Sequence, residues 1–343
     1  MNSKKGVTIY DIAQQLKITP SMVSRALSGN GYVNDATRQL VRETAEALNY
    51  KRNTVASNLR MGQTKTIGVI VPRINQNFFA NVIAGIENIA YEKGYSLIIC
   101  QSDEQNEKEV KSVNTLINQR VECIVISVSA DSYNYKHLQN VIDQGIQLIQ
   151  FDRVAEDLDT LKVINDNEQA SFDAIRHLIE QGYKKIALLE GPQNLAIFRQ
   201  RKNGYLRALK QHGLPVKDDY IIENAWTKEL GAAATKKLLG FNDAPDAIFA
   251  STSDFSALGV LEVANQLNIK VPSQLGICGY SNEAFTEITS PSITTVDQYS
   301  VDMGKTVANL FFDRIEEQAD AIAAKTVSIK PELIIRGSTS RMV

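Results

Sequence analysis

Short, continuously apolar runs recur along residues 66–296 at a spacing that few folds can accommodate. Ile67-Gly68-Val69-Ile70-Val71 is followed by Leu97-Ile98-Ile99, Ile124-Val125-Ile126 and Leu148-Ile149-Gln150-Phe151. A second series runs through Ile186-Ala187-Leu188-Leu189, Tyr220-Ile221-Ile222, Ala247-Ile248-Phe249-Ala250 and Gly276-Ile277-Cys278-Gly279. Starts in the first series lie about 25–30 residues apart, the length of a strand, a crossover helix and the return. Strands that do not alternate apolar with polar are covered on both faces, which predicts a parallel sheet. Two such series in tandem predict two Rossmann-like lobes. Ligands of such sheets sit at the carboxyl ends of the strands, and a cleft between lobes is a preferred pocket.

The first 60 residues read differently. Ile9, Ile12, Ala13 and Leu16 fall at helical spacing, with Thr8 in front and Asp11 three residues on, a weak capping box. A second helix begins at Thr19-Pro20, a hydroxyl cap followed by a proline at the first helical position, with Val23 and Leu27 inward. Only Lys17-Ile18 and that cap separate the two, which is helix-turn-helix spacing. A third helix starts at the cap Asn34, points Leu40, Val41, Thr44, Ala45 and Leu48 inward, and ends at Asn49-Tyr50. The outer face of the second helix carries Ser21, Ser24, Arg25 and Ser28. Small hydroxyls and one arginine suit close approach to phosphates and base edges.

Charge separates the two regions. The 343-residue chain has a net charge of −2, yet residues 1–65 carry +6 and the rest −8. A basic head on an acidic body fits a nucleic-acid-binding module joined to a second function, although a solvated basic surface would give the same count. No apolar run approaches the roughly 18 residues of a membrane span, and no signal-peptide core follows Met1. Cys100, Cys123 and Cys278 are an odd, scattered set in apolar stretches and read as buried thiols of a reducing compartment. His137, His177 and His212 show no ligand spacing, so neither a metal nor a cofactor is expected. Walker, G-x-S-x-G and H-E-x-x-H patterns are missing, and no G-x-G-x-x-G sits between a strand and a helix.

Val7-Thr8-Ile9-Tyr10-Asp11-Ile12-Ala13, Val23-Ser24-Arg25-Ala26-Leu27, Leu48-Asn49-Tyr50 and Asn53-Thr54-Val55-Ala56-Ser57-Asn58-Leu59, in this order and spacing, resemble the lactose/galactose repressor (LacI/GalR) family of bacterial transcription regulators. The likeness continues through the body. It implies an N-terminal all-α helix-turn-helix DNA-binding domain over residues 1–52, a hinge helix and linker over 53–65, and an α/β periplasmic-binding-protein-like body over 66–343. The chain would cross between lobes near 163–165, 296–298 and 326. Lobe one would then hold about 66–163 and 297–325, and lobe two about 164–296 and 326–343. Pro20, Ser21 and Arg25 would occupy base-reading positions, with Arg25 the main reader. Thr8, Tyr10, Thr19, Met22, Ser24 and Asn34 would lie near the sugar-phosphate backbone. Asn53, Ala56 and Leu59 belong to the hinge, where Leu59 matches a minor-groove wedge or is an ordinary linker residue. Lys17 departs from the glycine or asparagine common at that turn.

In the body the resemblance implies ligand contacts at Asn77, Phe78, Asp152, Arg153, Arg201, Trp226, Ser253, Asp254 and Ser281. Phe79, next to Phe78, could equally be core. Asp152-Arg153 could be a surface pair, Trp226 core, and Asp254 a helix cap. Ser281 stands where the family usually has aspartate, which removes a charged acceptor. The expected protein is a cytoplasmic, non-enzymatic transcription regulator. It would bind double-stranded, near-palindromic operator DNA as a homodimer, and a small sugar or sugar derivative would release it. A small-molecule or protein corepressor that tightens DNA binding is the alternative, and a Rossmann-like enzyme with a basic head a remote one.

Overall fold

A computed structural model describes residues 7–28, 32–50, 64–317 and 325–341. The chain divides into two compact units, residues 1–64 and 65–343. The segment 53–60, and with it Asn53, Ala56 and Leu59, lies outside the described residues.

In the first unit, α1 (Ile9–Leu16), α2 (Pro20–Ser28) and α3 (Asp35–Ala47) pack around Ile12, Ala13, Val23, Ala26, Val41 and Ala45. The Asp11 carboxylate accepts both the Thr8 N–H and the Thr8 hydroxyl at 2.7 Å, closing the first turn of α1. Lys17 ends α1 in the left-handed region, φ 54° and ψ 38°. A lysine pays about 1 kcal/mol for this, and the sharp turn into α2 requires it. Leu40, expected inward, is 50% exposed. The buried stripe of α3 is centred on Val41 and Ala45, which leaves Leu40 at its edge.

The second unit contains two six-stranded sheets. The first holds β1 (Thr66–Val71), β2 (Ser96–Gln101), β3 (Cys123–Ile126), β4 (Gln147–Phe151), β5 (Leu161–Asn165) and β11 (Lys325–Ile329), in the order β11-β5-β4-β3-β1-β2 and parallel throughout. The second holds β6 (Ile186–Leu189), β7 (Ile221–Ile222), β8 (Ala247–Ala250), β9 (Gly276–Tyr280), β10 (Thr294–Asp297) and β12 (Glu332–Ile334), in the order β12-β10-β9-β8-β6-β7. Among the described residues of this sheet, only the β10–β12 pair is antiparallel. Every residue of β3, β6 and β8 is buried, as their continuous apolar character predicts.

Helices cover both sheets: α4 (Asn77–Glu92), α5 (Asn106–Asn118) and α6 (Lys136–Asp143) belong to the first lobe. The second lobe has α7 (Asn167–Glu180), α8 (Ala196–Gln211), α9 (Lys228–Leu239), α10 (Asp254–Gln266) and α11 (Phe285–Ile288). The chain then returns, and α12 (Ser300–Glu317) packs on α4 of the first lobe. That approach is too close for side chains: a Cβ on Gly304 would lie 2.1 Å from the Val82 carbonyl oxygen, and one on Gly85 would lie 2.2 Å from that of Val301.

The expected crossing near 163–165 falls at the end of β5, the strand from which the chain leaves the first sheet. The one near 326 needs correction. Residue 326 lies inside β11, which pairs with β5 across residues 325–329, so the tail crosses after Ile329. Its Lys-Thr-Val-Ser-Ile sequence is half exposed at the sheet edge and carries little apolar signal. No helix among the described residues is long and apolar enough to cross a membrane.

Candidate functional site

On the head, Thr8, Tyr10, Thr19, Pro20, Ser21, Met22 and Asn34 lie at or beside the N-termini of the three helices, and Ser24 and Arg25 lie further along α2. Thr8, Tyr10, Thr19, Ser21, Arg25 and Asn34 are exposed, and Pro20, Met22 and Ser24 are half-buried. The Thr19 hydroxyl accepts the Met22 N–H at 3.3 Å and shares a hydrogen bond with the Ser21 hydroxyl at 3.0 Å. Asn34 Oδ1 accepts the Thr37 N–H at 2.7 Å. Arg25 leans back along α2, its Nε donating to the Ser21 carbonyl at 3.3 Å. Val23 and Ala26 fill the opposite face. The helix therefore presents one cation among hydroxyls, and its own electropositive N-terminus is capped by Thr19, a surface suited to an anionic backbone.

In the body, the carboxyl ends of strands from both lobes line one cavity with about 580 Å³ of atom-free space, partly open to solvent. Seven expected residues line it: Phe78, Asp152, Arg153, Arg201, Trp226, Ser253 and Ser281. Arg201 is 3% exposed; its Nε donates to Asn167 Oδ1 at 2.9 Å and its Nη1 to the Ser251 carbonyl at 2.7 Å. The guanidinium lies 3.7 Å from the centre of the Tyr280 ring, a cation–π contact that fixes its plane.

Asp152 and Arg153 follow β4. Arg153 Nη1 reaches both oxygens of Glu104, at 2.8 and 3.0 Å, while its buried Nε has no hydrogen-bond partner among the described residues. Burial pushes the Asp152 carboxyl above its ordinary range, opposed by the nearby guanidinium groups of Arg153 and Arg201. Asp152 and Ser281 both adopt positive φ, 56° and 119°. Such strain at a cavity wall is a frequent mark of a functional site. The Ser281 hydroxyl donates to Gln298 Oε1 at 3.4 Å. Gln298 in turn donates to Asn165 Oδ1 at 3.2 Å, tying the ends of β10 and β5 together.

Two expected residues do not line the cavity. Asp254, the first residue of α10, is fully buried; its carboxylate accepts the Thr295 hydroxyl at 2.6 Å and the Glu283 N–H at 2.8 Å. It supports the loop after β9, and the helix cap is Ser253, whose hydroxyl accepts the Ser256 N–H. Burial raises the Asp254 carboxyl to about 7, against the pull of its two donors. Asn77, exposed at the start of α4, is outside the lining and donates its amide to Glu283 Oε2 in the other lobe. Sequence reasoning missed Phe198, Phe255, Glu283 and Gln298, all of which line the cavity. Glu283 and Gln298 follow strand ends, so the carboxyl-end rule covers their positions.

With this geometry in place, similarity to known proteins is informative. Residues 8–53 match the family described as bacterial regulatory proteins, lacI family. Residues 64–334 match that of periplasmic binding proteins and the sugar binding domain of the LacI family. Catabolite control protein A of Priestia megaterium is 33% identical over 334 residues, covering 97% of this chain and 99% of that protein. The HTH-type transcriptional repressor CytR of Escherichia coli strain K12 is 32% identical, covering 99% of each. Among solved structures, the lac repressor dimer bound to operator and the anti-inducer ONPF superposes with a TM-score of 0.87 at 23% identity, covering 98% of this chain and 99% of that one.

Proposed function

Because the chain belongs to the LacI family of bacterial regulatory proteins, and so is a ligand-responsive DNA-binding regulator of transcription, we propose that a small carbohydrate in the inter-lobe cavity sets its hold on a two-fold operator. The protein acts as a homodimer in the cytoplasm and performs no catalysis. Two copies read two half-sites, because a two-fold protein matches a two-fold sequence. Arg25 contacts a base in each half-site, and the exposed hydroxyls and helix N-termini around it contact phosphates.

The observation that carries the sensor reading is the composition of the cavity. Trp226 and Phe78 offer flat apolar faces, while Asp152, Arg153 and Arg201 converge with hydrogen-bonding groups, one of them still unpartnered. Aromatic faces and a few fixed polar groups are what a polyhydroxylated ring needs. Asp152 comes from the first lobe and Arg201 from the second, so a ligand touching both reports on how the lobes are arranged.

The test begins with selection of operator fragments from a genomic pool, followed by fluorescence anisotropy with and without monosaccharides and disaccharides. Binding should weaken steeply with salt, and at least one sugar should weaken it further. Salt-insensitive, non-selective DNA binding would refute the head assignment. A sugar that tightens binding would keep the sensor and reverse its sign, making the ligand a corepressor.

A further inference from the structure

We propose that Glu283 is the charge filter of the cavity: its carboxylate accepts hydroxyl or ammonium donors from a neutral or cationic ring ligand and turns away ligands bearing phosphate or carboxylate. The proposal rests on the carbohydrate reading above and names the subclass admitted.

Glu283 sits in the loop between β9 and α11, on the cavity wall, and is only 5% exposed. Its position is fixed from below, since its N–H donates to the buried Asp254. One carboxylate oxygen, Oε2, accepts the Asn77 amide from the opposite lobe. The other, Oε1, accepts no hydrogen bond and Glu283 makes no ion pair among the described residues.

Both cations of the cavity already face acceptors. Arg153 pairs with Glu104 through Nη1, and its Nε, which makes no hydrogen bond among the described residues, lies 3.9 Å from Asp152 Oδ2. Arg201 spends Nε and Nη1 on neutral oxygens and stacks on Tyr280. Along the wall Asp152 and Glu283 balance Arg153 and Arg201, and Glu104, outside the lining, is paired with Arg153, which leaves Glu283 as the carboxylate with no cation of its own among the described residues. Burial pushes the Glu283 carboxyl upward, with only the Asn77 amide pulling it back.

A buried acceptor of this kind favours whatever brings it a donor. A ligand hydroxyl can replace the Asn77 amide at little net cost, because one neutral donor to the carboxylate is exchanged for another. An ammonium does better, since it supplies the missing charge. An anionic group brings a second negative charge into a partly desolvated site, where like charges disfavour each other's ionised forms. Rejection of this sort is how a pocket discriminates between ligands of the same shape.

Calorimetry and thermal shift on the full chain, with sets of sugars differing only in charge, test the filter. Glucose, glucosamine and glucose 6-phosphate form one set; galactose with galacturonate and ribose with ribose 5-phosphate form two more. At least one neutral or amino sugar should bind at least tenfold tighter than its anionic counterpart. In Glu283→Gln the preference should shrink at least tenfold, and in Asn77→Ala, which leaves the carboxylate in place, it should persist. An anionic member that binds as well as its neutral counterpart overturns the filter and leaves the carbohydrate reading standing. So does an unchanged preference in Glu283→Gln or a lost one in Asn77→Ala. Failure of every set to bind the unmodified protein overturns both. The comparison on the unmodified protein does not depend on how either variant folds.

Discussion

Replacing Asp254 by asparagine should flatten the pH dependence of stability, and the size of the effect follows from the environment of the carboxyl. Burial holds it at about 7 in the fold, despite donors from Thr295 and the Glu283 backbone. In the unfolded chain it titrates near the ordinary aspartate value of about 3.9. An acid with a raised folded pKa binds more protons folded than unfolded. It therefore costs stability as pH rises from about 4 to about 7, and costs no more above that. Integrated from pH 5 to pH 8, the loss is about 2.6 kcal/mol. The replacement amide would keep one acceptor and turn its NH2 group toward the other donor, a pH-independent cost of about 1–3 kcal/mol. Urea denaturation of the unmodified protein and Asp254→Asn at pH 5, 6, 7 and 8 gives the difference, in which other titrating groups cancel except the adjacent Glu283. The unmodified protein should hold its largest advantage at pH 5, and that advantage should shrink by roughly 2–3 kcal/mol by pH 8. A difference that stays constant within about 0.5 kcal/mol refutes the raised carboxyl. One that widens with pH shows that the two donors outweigh burial.

Three further substitutions probe the head, the cavity and the packing. Arg25→Ala should cost about 1–3 kcal/mol of specific DNA binding and relax preference at one operator position; an equal loss on all sequences in anisotropy titrations would reassign Arg25 to phosphate. Trp226→Ala should abolish the thermal response to the bound sugar while operator affinity stays within about twofold, whereas collapse of DNA binding as well would mark Trp226 as core. Gly304→Ala forces a Cβ to within 2.1 Å of the Val82 carbonyl oxygen and should destabilise the protein by about 1–3 kcal/mol, read as a lower calorimetric melting temperature. An unchanged melting temperature would mean that α4 and α12 can separate freely.

What is legible in the sequence depends on how strongly each element advertises itself. Ile186-Ala187-Leu188-Leu189 and Ala247-Ile248-Phe249-Ala250 are buried on both faces and read as strands at once. β5 alternates buried with half-buried residues and β11 is a polar edge strand, so neither announces itself as a strand, and the resemblance alone put crossing points there. The capped head helices are legible because Thr8, Asp11 and Asn34 are short polar side chains at fixed offsets from apolar stripes. Seven cavity residues follow from position in the resemblance. Asp254 does not, because a carboxylate at a strand-to-helix turn can point either into a pocket or under the sheet. Here Thr295 and the Glu283 N–H draw it under. Glu283 carries no signal beyond its place after a strand end, and the fold sets it opposite Asn77.

The lobes meet through two kinds of contact, and the difference between them decides what a ligand can move. Leu195, Ile197 and Phe198 of the second lobe join an apolar cluster with Ile70, Val128 and Leu138 of the first. Uncovering each of those side chains would cost on the order of 1.5–3 kcal/mol, so wide gaping is resisted. The polar ties are weaker. Arg199 and Glu156 meet at 2.7 Å, but their side chains are 43% and 57% exposed, and such pairs contribute about 0–1 kcal/mol. Asn77–Glu283 is a single hydrogen bond across the cleft. A slide that keeps the apolar cluster packed and exchanges these ties is the inexpensive motion. A tenfold change in DNA affinity needs only about 1.4 kcal/mol of coupling, which one charge-assisted hydrogen bond, made in one lobe arrangement and lost in the other, can supply. Tight binding alone does not suffice, because a ligand held equally in both arrangements shifts nothing. On the proposed carbohydrate reading, response would rest on groups whose partners lie across the cleft, such as Glu283, tied to Asn77, whereas Arg201, held within its own lobe by Asn167 and Ser251, would provide the hold.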